Sequence, residues 1–253
     1  MIPRQKKVLL NRAAFAARPY SSDALTVLTT LLHHFPEAGS FEIFISRNGA
    51  LVSRLNLQVA LENAPHQHNI DMAMLAADEP GCETEPDYLL HVGGFLGFHA
   101  SSGSDSYSVI VRQLGEREKR TLLVSNAEIP AGDLFAVTLV RPGAYRVMDS
   151  LNKNEAVVHV AAPQVPPRER LRAPRATDAR ERYRPDQATL VEVRKEGFSE
   201  KEMRLMAGQS VVFLCNAPAK IQLEPPKEER PREGLPDKKR HAVRRTPKNP
   251  PPS

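Results

Sequence analysis

The stretch from Phe41 to Leu61 constrains this chain more than any other. Phe41, Ile43 and Ile45 alternate with Glu42, Phe44 and Ser46. Successive side chains of a strand point to opposite faces, so a period of two predicts a half-buried strand. Asn48-Gly49 follows. A type I′ turn needs positive φ at both central positions, and this dipeptide tolerates that best, so a two-residue hairpin is predicted. The return strand sets Leu51, Leu55, Leu57, Val59 and Leu61 on one face and Val52, Arg54, Asn56 and Gln58 on the other. A lone hairpin is marginal in water, so its apolar face demands further strands.

Those strands are legible downstream. Tyr107–Arg112 and Thr121–Ser125 flank a charged turn, Leu114–Arg120. Leu134–Val140 and Tyr145–Met148 flank Arg141-Pro142-Gly143-Ala144, where Pro then Gly is type II turn chemistry. Ala156–Val160 follows Asn152-Lys153-Asn154. After a break, Thr189–Arg194, Met203–Leu205, Ser210–Cys215 and Lys220–Leu223 again read as strands. Many short strands with regular turns predict a mainly β chain, an antiparallel β-sandwich. One helix is expected, over 23–35. Ser22 or Asp23 would cap it, Leu25, Leu28, Leu32 and Phe35 would form its stripe, and Pro36 would stop it. His33-His34 would then complement the dipole at its end. A weaker echo links Ala131-Gly132-Asp133, strand, Pro142 with Ala207-Gly208-Gln209, strand, Pro218.

Charge divides the chain further. Residues 1–22 hold five basic residues and no acid; residues 23–162 hold nine basic and seventeen acidic. Residues 163–188 hold seven basic and four acidic, and open on Pro-Gln-Val-Pro-Pro. Residues 189–225 balance, and 226–253 hold nine basic and four acidic. The expected layout is therefore a basic arm (1–22), a sandwich domain (23–162) and an Arg/Pro-rich linker (163–188). Strands that pack on the sandwich or form a small satellite (189–225) and a disordered basic tail (226–253) complete it. The net charge of +5 averages an acidic body with basic extensions. Arg18-Pro19-Tyr20-Ser21-Ser22 resembles the cleavage pattern of a mitochondrial presequence; without import, a cytoplasmic location is expected. No run of 18 apolar residues predicts a membrane helix.

The chemical inventory is thin. Two cysteines, Cys82 and Cys215, exclude a disulfide scaffold and a CxxC site. Cys215 lies in the apolar Val211–Leu214 run and reads as buried; Cys82 stands among acids, which disfavours a thiolate. No Gly-x-Ser-x-Gly elbow exists. Gly93-Gly94-Phe95-Leu96-Gly97 lacks the Lys-Ser/Thr of a phosphate loop and reads as a bend or close approach in a sheet. His66-Gln67-His68 would present two imidazoles on one face of a strand, with His91, His99 or Asp71 as a third ligand, or would simply lie in a solvated loop. Lys238, Lys239, Arg240, Arg244 and Arg245 form a basic cluster able to meet nucleic acid phosphates or an anionic surface. No aromatic residue follows Phe213, so base stacking is unavailable there.

Several segments resemble the cupredoxin-type β-sandwich. Glu196-Gly197-Phe198-Ser199, Met203–Ala207 and Gly208–Phe213 resemble its early strands. Val137-Thr138-Leu139 with Pro142-Gly143-Ala144-Tyr145 resembles its late strand, and Asn63 with His68 sits roughly where the family has an Asn and a copper histidine. The resemblance implies a copper-free relative: Asp149–Asn154 brings neither the Cys nor the His of a type 1 copper site. The early and late pieces also stand in reversed chain order.

A non-enzymatic β-sandwich that acts as a binding or assembly module with protein partners, and without a cofactor, is the expectation these features favour. One alternative is an accessory subunit of a nucleic-acid-containing assembly, docked by its basic ends. Another is a metal-binding protein using His66 and His68.

Overall fold

The computed structural model describes residues 18–61, 63–75, 87–115, 118–162 and 188–226. Strands dominate. The first are β1 (Tyr20–Ser21), β2 (Thr29–Phe35), β3 (Gly39–Arg47), β4 (Ala50–Ala60) and β5 (Gln67–Asp71). A one-turn helix, α1 (Met72–Leu75), precedes β6 (Asp87–His91), β7 (Gly94–His99) and β8 (Tyr107–Leu114). Then come β9 (Lys119–Val124), β10 (Leu134–Leu139), β11 (Gly143–Asp149), β12 (Asn154–Ala161) and β13 (Thr189–Arg194). The last are β14 (Gly197–Phe198), β15 (Glu202–Met206), β16 (Gln209–Cys215) and β17 (Ile221–Glu224).

The hairpin of β3 and β4 forms on Asn48 (φ 50°) and Gly49 (φ 86°), both in the left-handed region the I′ turn requires. Phe41, Ile43, Ile45, Leu55, Leu57 and Val59 are buried. Leu51 and Leu61 are not, at 60% and 70% exposed. A bulge between Ile45 and Ser46 shifts the register so that Ser46 faces Leu51, and Leu61 lies beyond the strand end.

Residues 29–35 are not helical. They form β2, with Thr29, Leu31, His33 and Phe35 buried in alternation. Thr29-Thr30 favours extended backbone, and β2 is bonded on both sides, to β7 and β10, which outweighs a helical spacing of leucines. Leu28 turns the chain into the strand at φ 73°. The Ser22 hydroxyl caps nothing; it accepts the Ile221 N–H. Nor are residues 18–22 a detached arm, since β1 pairs with β17 and Tyr20 is buried. The sheets are mixed rather than purely antiparallel: β4 with β6, β5 with β7, β12 with β15 and β13 with β16 run parallel. Each of these pairs is joined through at least one intervening element, as parallel neighbours require.

Among the described residues three sheets result, in the orders β1-β17-β11-β12-β15, β14-β13-β16-β10-β2-β7-β5 and β6-β4-β3-β8-β9. Their order reveals a repeat. In the first half of the chain β2 pairs β7, β7 pairs β5, β8 pairs β3, β3 pairs β4 and β4 pairs β6. In the second half β10 pairs β16, β16 pairs β13, β17 pairs β11, β11 pairs β12 and β12 pairs β15, with the same parallel and antiparallel sense. The equivalent strands β2 and β10 are neighbours, and Leu31 stands opposite Phe135. Leu31 pairs with Phe98 as Phe135 pairs with Phe213. An approximate two-fold axis thus passes between Leu31 and Phe135, through the middle of the seven-stranded sheet.

The halves exchange a strand. β9, the first strand of the second half, pairs with β8 of the first, while β1, the first strand of the first half, pairs with β17 of the second. Each exchanged strand is followed at once by a buried serine. Ser125 Oγ accepts the Val109 N–H at 2.8 Å, and Ser22 Oγ accepts the Ile221 N–H at 3.1 Å. Beyond that serine the chain returns to its own half: Leu25 bonds Tyr107, and Ile129 bonds Ala219, in matching two-way bridges. The buried apolar residues form one cluster through both halves.

Pro142-Gly143 does not close a hairpin. It carries the chain from β10 in one sheet to β11 in another. Gly143 (φ 139°) is needed because a Cβ there would stand 2.5 Å from Pro226. The sequence echo at Ala131 and Ala207 marks two reciprocal turns. Gly132 N–H donates to the Cys215 carbonyl and Gly208 N–H to that of Leu139, at opposite ends of the β10–β16 pair.

Candidate functional site

The β2–β10 seam brings together two polar side chains that stand 100 residues apart. Leu32 faces Leu134, so the next position outward sets His33 beside Asp133. His33 lies on the buried face of β2, and Asp133 enters from the Gly132 turn (φ 93°). The turn is held by Gly132 N–H to the Cys215 carbonyl and Cys215 N–H to the Asp133 carbonyl. His33 Nδ1 and Asp133 Oδ2 are 2.6 Å apart, and Asp133 Oδ1 accepts the His34 N–H at 2.9 Å. Both side chains are almost wholly buried, His33 at 4% and Asp133 at 1% exposed.

The carboxylate is therefore fully engaged, and its contact fixes the imidazole. A carboxylate accepts, so Nδ1 carries the proton of that bond. The other ring nitrogen, His33 Nε2, is buried and has no hydrogen-bond partner, alone in this among the buried side-chain nitrogens and oxygens of the described residues. Leaving such an atom unpaired costs about 1–3 kcal/mol. His33 and Asp133 line a cavity of about 220 Å³, with Phe35, Phe41, Leu122 and Arg120 among its other walls. The His33 ring meets Phe35 edge-on at 4.7 Å, and Phe35 meets Phe41 likewise at 5.0 Å. Among the described residues no serine, threonine or cysteine lines the cavity.

The two-fold provides an internal control. Thr29 and Val137 occupy the positions equivalent to Asp133 and His33, and they face each other in the same register. Val137 is fully buried, and Thr29 Oγ1 is spent locally, donating to the Thr26 carbonyl and accepting the Thr26 N–H. The fold thus closes with an apolar residue where His33 stands.

The other histidines are placed apart. His66 packs on His91 with ring centres 4.3 Å apart, whereas His68 packs on Tyr88 and its Nε2 bonds the Leu89 carbonyl at 2.9 Å. His91 Nδ1 donates to the Val92 carbonyl. Asp71 is occupied by the backbone N–H groups of Ala73 and Ser101. Burial works to raise its carboxyl, but these bonds outweigh it and hold the group below the ordinary carboxylate range. No group of three or more His, Cys, Asp or Glu able to hold a metal lies together among the described residues. His34, stacked on Phe95 at 4.8 Å, faces away from its neighbour His33.

Cys215 is buried in β16, and desolvation pushes its thiol up to about 12, an unreactive state. Gly94 and Gly97 mark close approaches: a Cβ would come within 2.8 Å of the His91 and His66 carbonyls at Gly94, and 2.7 Å from Asn69 Oδ1 at Gly97. Cys82 and the basic cluster Lys238, Lys239, Arg240, Arg244 and Arg245 lie outside the described residues. Among the described residues no helix is long and apolar enough to cross a membrane. No family model, curated protein or solved structure matches the chain.

The His33–Asp133 pair escaped sequence reasoning because its partners meet only across the seam. The one local signal was a histidine at a core position of a period-two pattern, and a helical reading of 23–35 hid it.

Proposed function

We propose that the chain is a non-enzymatic binding or assembly module, built from two copper-free, cupredoxin-like β-sandwiches fused across one sheet. The observation that carries this reading is the reciprocal exchange of β1 and β9, which ties two like units into a single scaffold around a shared seam. The segments that carry the family resemblance fit it. Gly197-Phe198 forms β14, Met203–Met206 lies in β15 and Gln209–Phe213 in β16, with Ala207-Gly208 as the turn between, and β16 lies in register beside β10, which holds Val137–Leu139. Reversed chain order therefore still delivers both pieces to one unit. The turn that would carry copper ligands is committed to backbone instead. Asp149 accepts the N–H groups of Leu151 and Lys220 and the Asn152 amide. Ligand recognition falls to the His33–Asp133 cavity, the place where the repeat departs from apolar packing.

A library of metabolite-sized compounds, read by thermal shift and by the mass of each compound after incubation with the full chain, tests the proposal. Stabilising compounds that return chemically unchanged are expected. A compound converted by the wild type but not by a His33→Val variant would overturn the non-enzymatic reading.

A further inference from the structure

We infer that the outer faces of the two five-stranded sheets form an interaction surface for a second copy of this chain, the first-half face of one copy docking on the second-half face of the next. Such a contact is independent of the cavity and goes beyond the binding-module reading. It is carried by an inversion of charge at equivalent positions. Phe41 lies opposite Leu57 as Tyr145 lies opposite Val158, so Glu42 and Arg146 are equivalent. Arg112 faces Glu42 as Glu224 faces Arg146. Arg54 faces Phe44, two residues on, as Glu155 faces Met148. All six charged residues stand on outer faces, because their strand neighbours Ile43, Leu55, Val111, Val147, Ala156 and Leu223 turn into the core. Across β8, β3 and β4 the signs run plus, minus, plus; across β17, β11 and β12 they run minus, plus, minus. Each order reads the same from either end, so turning one face over onto the other keeps every sign opposed. A face laid on its own kind sets like over like, which costs affinity.

Burial sharpens the contrast. Arg54 and Lys119 close over the two carboxylate oxygens of Glu42; their side chains stay 44% and 57% exposed while that of Glu42 is 4% exposed. The first face therefore presents cations. The Arg112 guanidinium lies over the Phe44 ring at 5.0 Å and has no hydrogen-bond acceptor among the described residues. On the second face Arg146 and Glu155 pair in solvent, at 51% and 58% exposed, and the Glu224 carboxylate has no hydrogen-bond donor among the described residues. Arg112 and Glu224 are thus an unspent donor and an unspent acceptor of matching chemistry. With Lys119 and Asp87 the first face holds three cations and two acids, and with Glu202 and Arg204 the second holds three acids and two cations. Asp87 and Glu202 are equivalent and share a sign, at the sheet edges outside the inverted trio. Five strands about 4.8 Å apart, each about seven residues long, give about 600 Å² per face, the size of a transient contact. Each copy keeps one face of either sign unused, so the contact continues past a pair into a ring or an open chain.

Sedimentation of the full chain at low ionic strength, over rising protein concentration, is the test. A mass that grows with concentration is expected, returning to that of one copy at about 1 M salt, where the Debye length is about 3 Å. Arg112→Glu and Glu224→Arg should each weaken association about tenfold or more. The chain carrying both should recover it. Arg112 and Glu224 lie in different sheets of one molecule, so recovery reports a contact between copies. Arg112→Gln and Glu224→Gln guard against a reversal that fails to fold, since they add no like charge beside Glu42 or Arg146, and each should also weaken association. A single copy at every concentration, association that survives 1 M salt, single variants that associate as the wild type does, or a folded double variant that stays dissociated would overturn the contact. None of these outcomes alters what the compound library reads, so the binding-module reading stands or falls apart from them.

Discussion

The two halves of this molecule share one strand order but few side chains, and the contrast separates what the fold needs from what it merely permits. Both halves need a hairpin between β3 and β4 or β11 and β12, a glycine at its entry (Gly39 or Gly143), and a buried serine just after the exchanged strand. They part at the cross-strand charges. Glu42 with Arg54 in the first half becomes Arg146 with Glu155, reversed in polarity, in the second. They part most at the seam, where His33 and Asp133 answer to Val137 and Thr29. Shared features are the architecture; the unshared buried pair is where the two halves depart from each other.

The largest expected effect lies on the two-fold itself. Phe135→Ala should cost about 3–5 kcal/mol and Leu31→Ala about 2–5 kcal/mol, since both side chains are fully buried. Each should move one unfolding transition, seen alike by probes placed in either half; separate transitions would show that the seam does not couple them. Next come the twin serines. Ser22→Ala and Ser125→Ala each strand a buried backbone N–H, so each should lower stability by about 1–3 kcal/mol in urea denaturation. A strongly unequal pair would break the equivalence. Glycine entry is graded. Gly143→Ala meets Pro226 at 2.5 Å, whereas Gly39→Ala comes no nearer than 3.3 Å, to the far end of the Gln113 side chain, so the first should cost more, about 1–3 kcal/mol by the same assay.

The smallest effect is electrostatic. The hydrogen bond from Lys119, then that from Arg54, outweighs burial and holds the Glu42 carboxyl below its ordinary range. A depressed folded value contributes stability above the unfolded carboxylate range and loses it as pH falls through the folded value. Glu42→Gln should therefore flatten the acid side of the stability–pH curve, and Glu155→Gln, on an exposed pair, should leave it unchanged.

Local grammar explains what was legible. The Asn48-Gly49 turn and the alternation of Phe41, Ile43 and Ile45 are set by residues within reach of one another, and they formed as the sequence implies. So did the strands from Thr189 to Glu224 and the buried state of Cys215. Non-local facts were hidden. Residues 29–35 carry leucines at helical spacing, and only the bonds from β7 and β10 make them a strand. Pro142-Gly143 reads as a hairpin turn, yet it crosses between sheets because β10 and β11 find other partners. The repeat itself left a sequence trace too faint to align, because equivalent positions need only matching burial, as Phe41 and Tyr145 or Leu31 and Phe135 show.

Reciprocal exchange of β1 and β9 is the central claim, and a cross-link tests it directly. Ser21 and Gln222 are opposed in the β1–β17 pair, so a Ser21→Cys, Gln222→Cys variant, with Cys82→Ser, should form a disulfide. A protease site between β8 and β9 then cuts the chain into its halves. If β1 lies on the second half, the two fragments stay joined without reductant and separate with it. Fragments that part on denaturation without reductant would contradict the exchange.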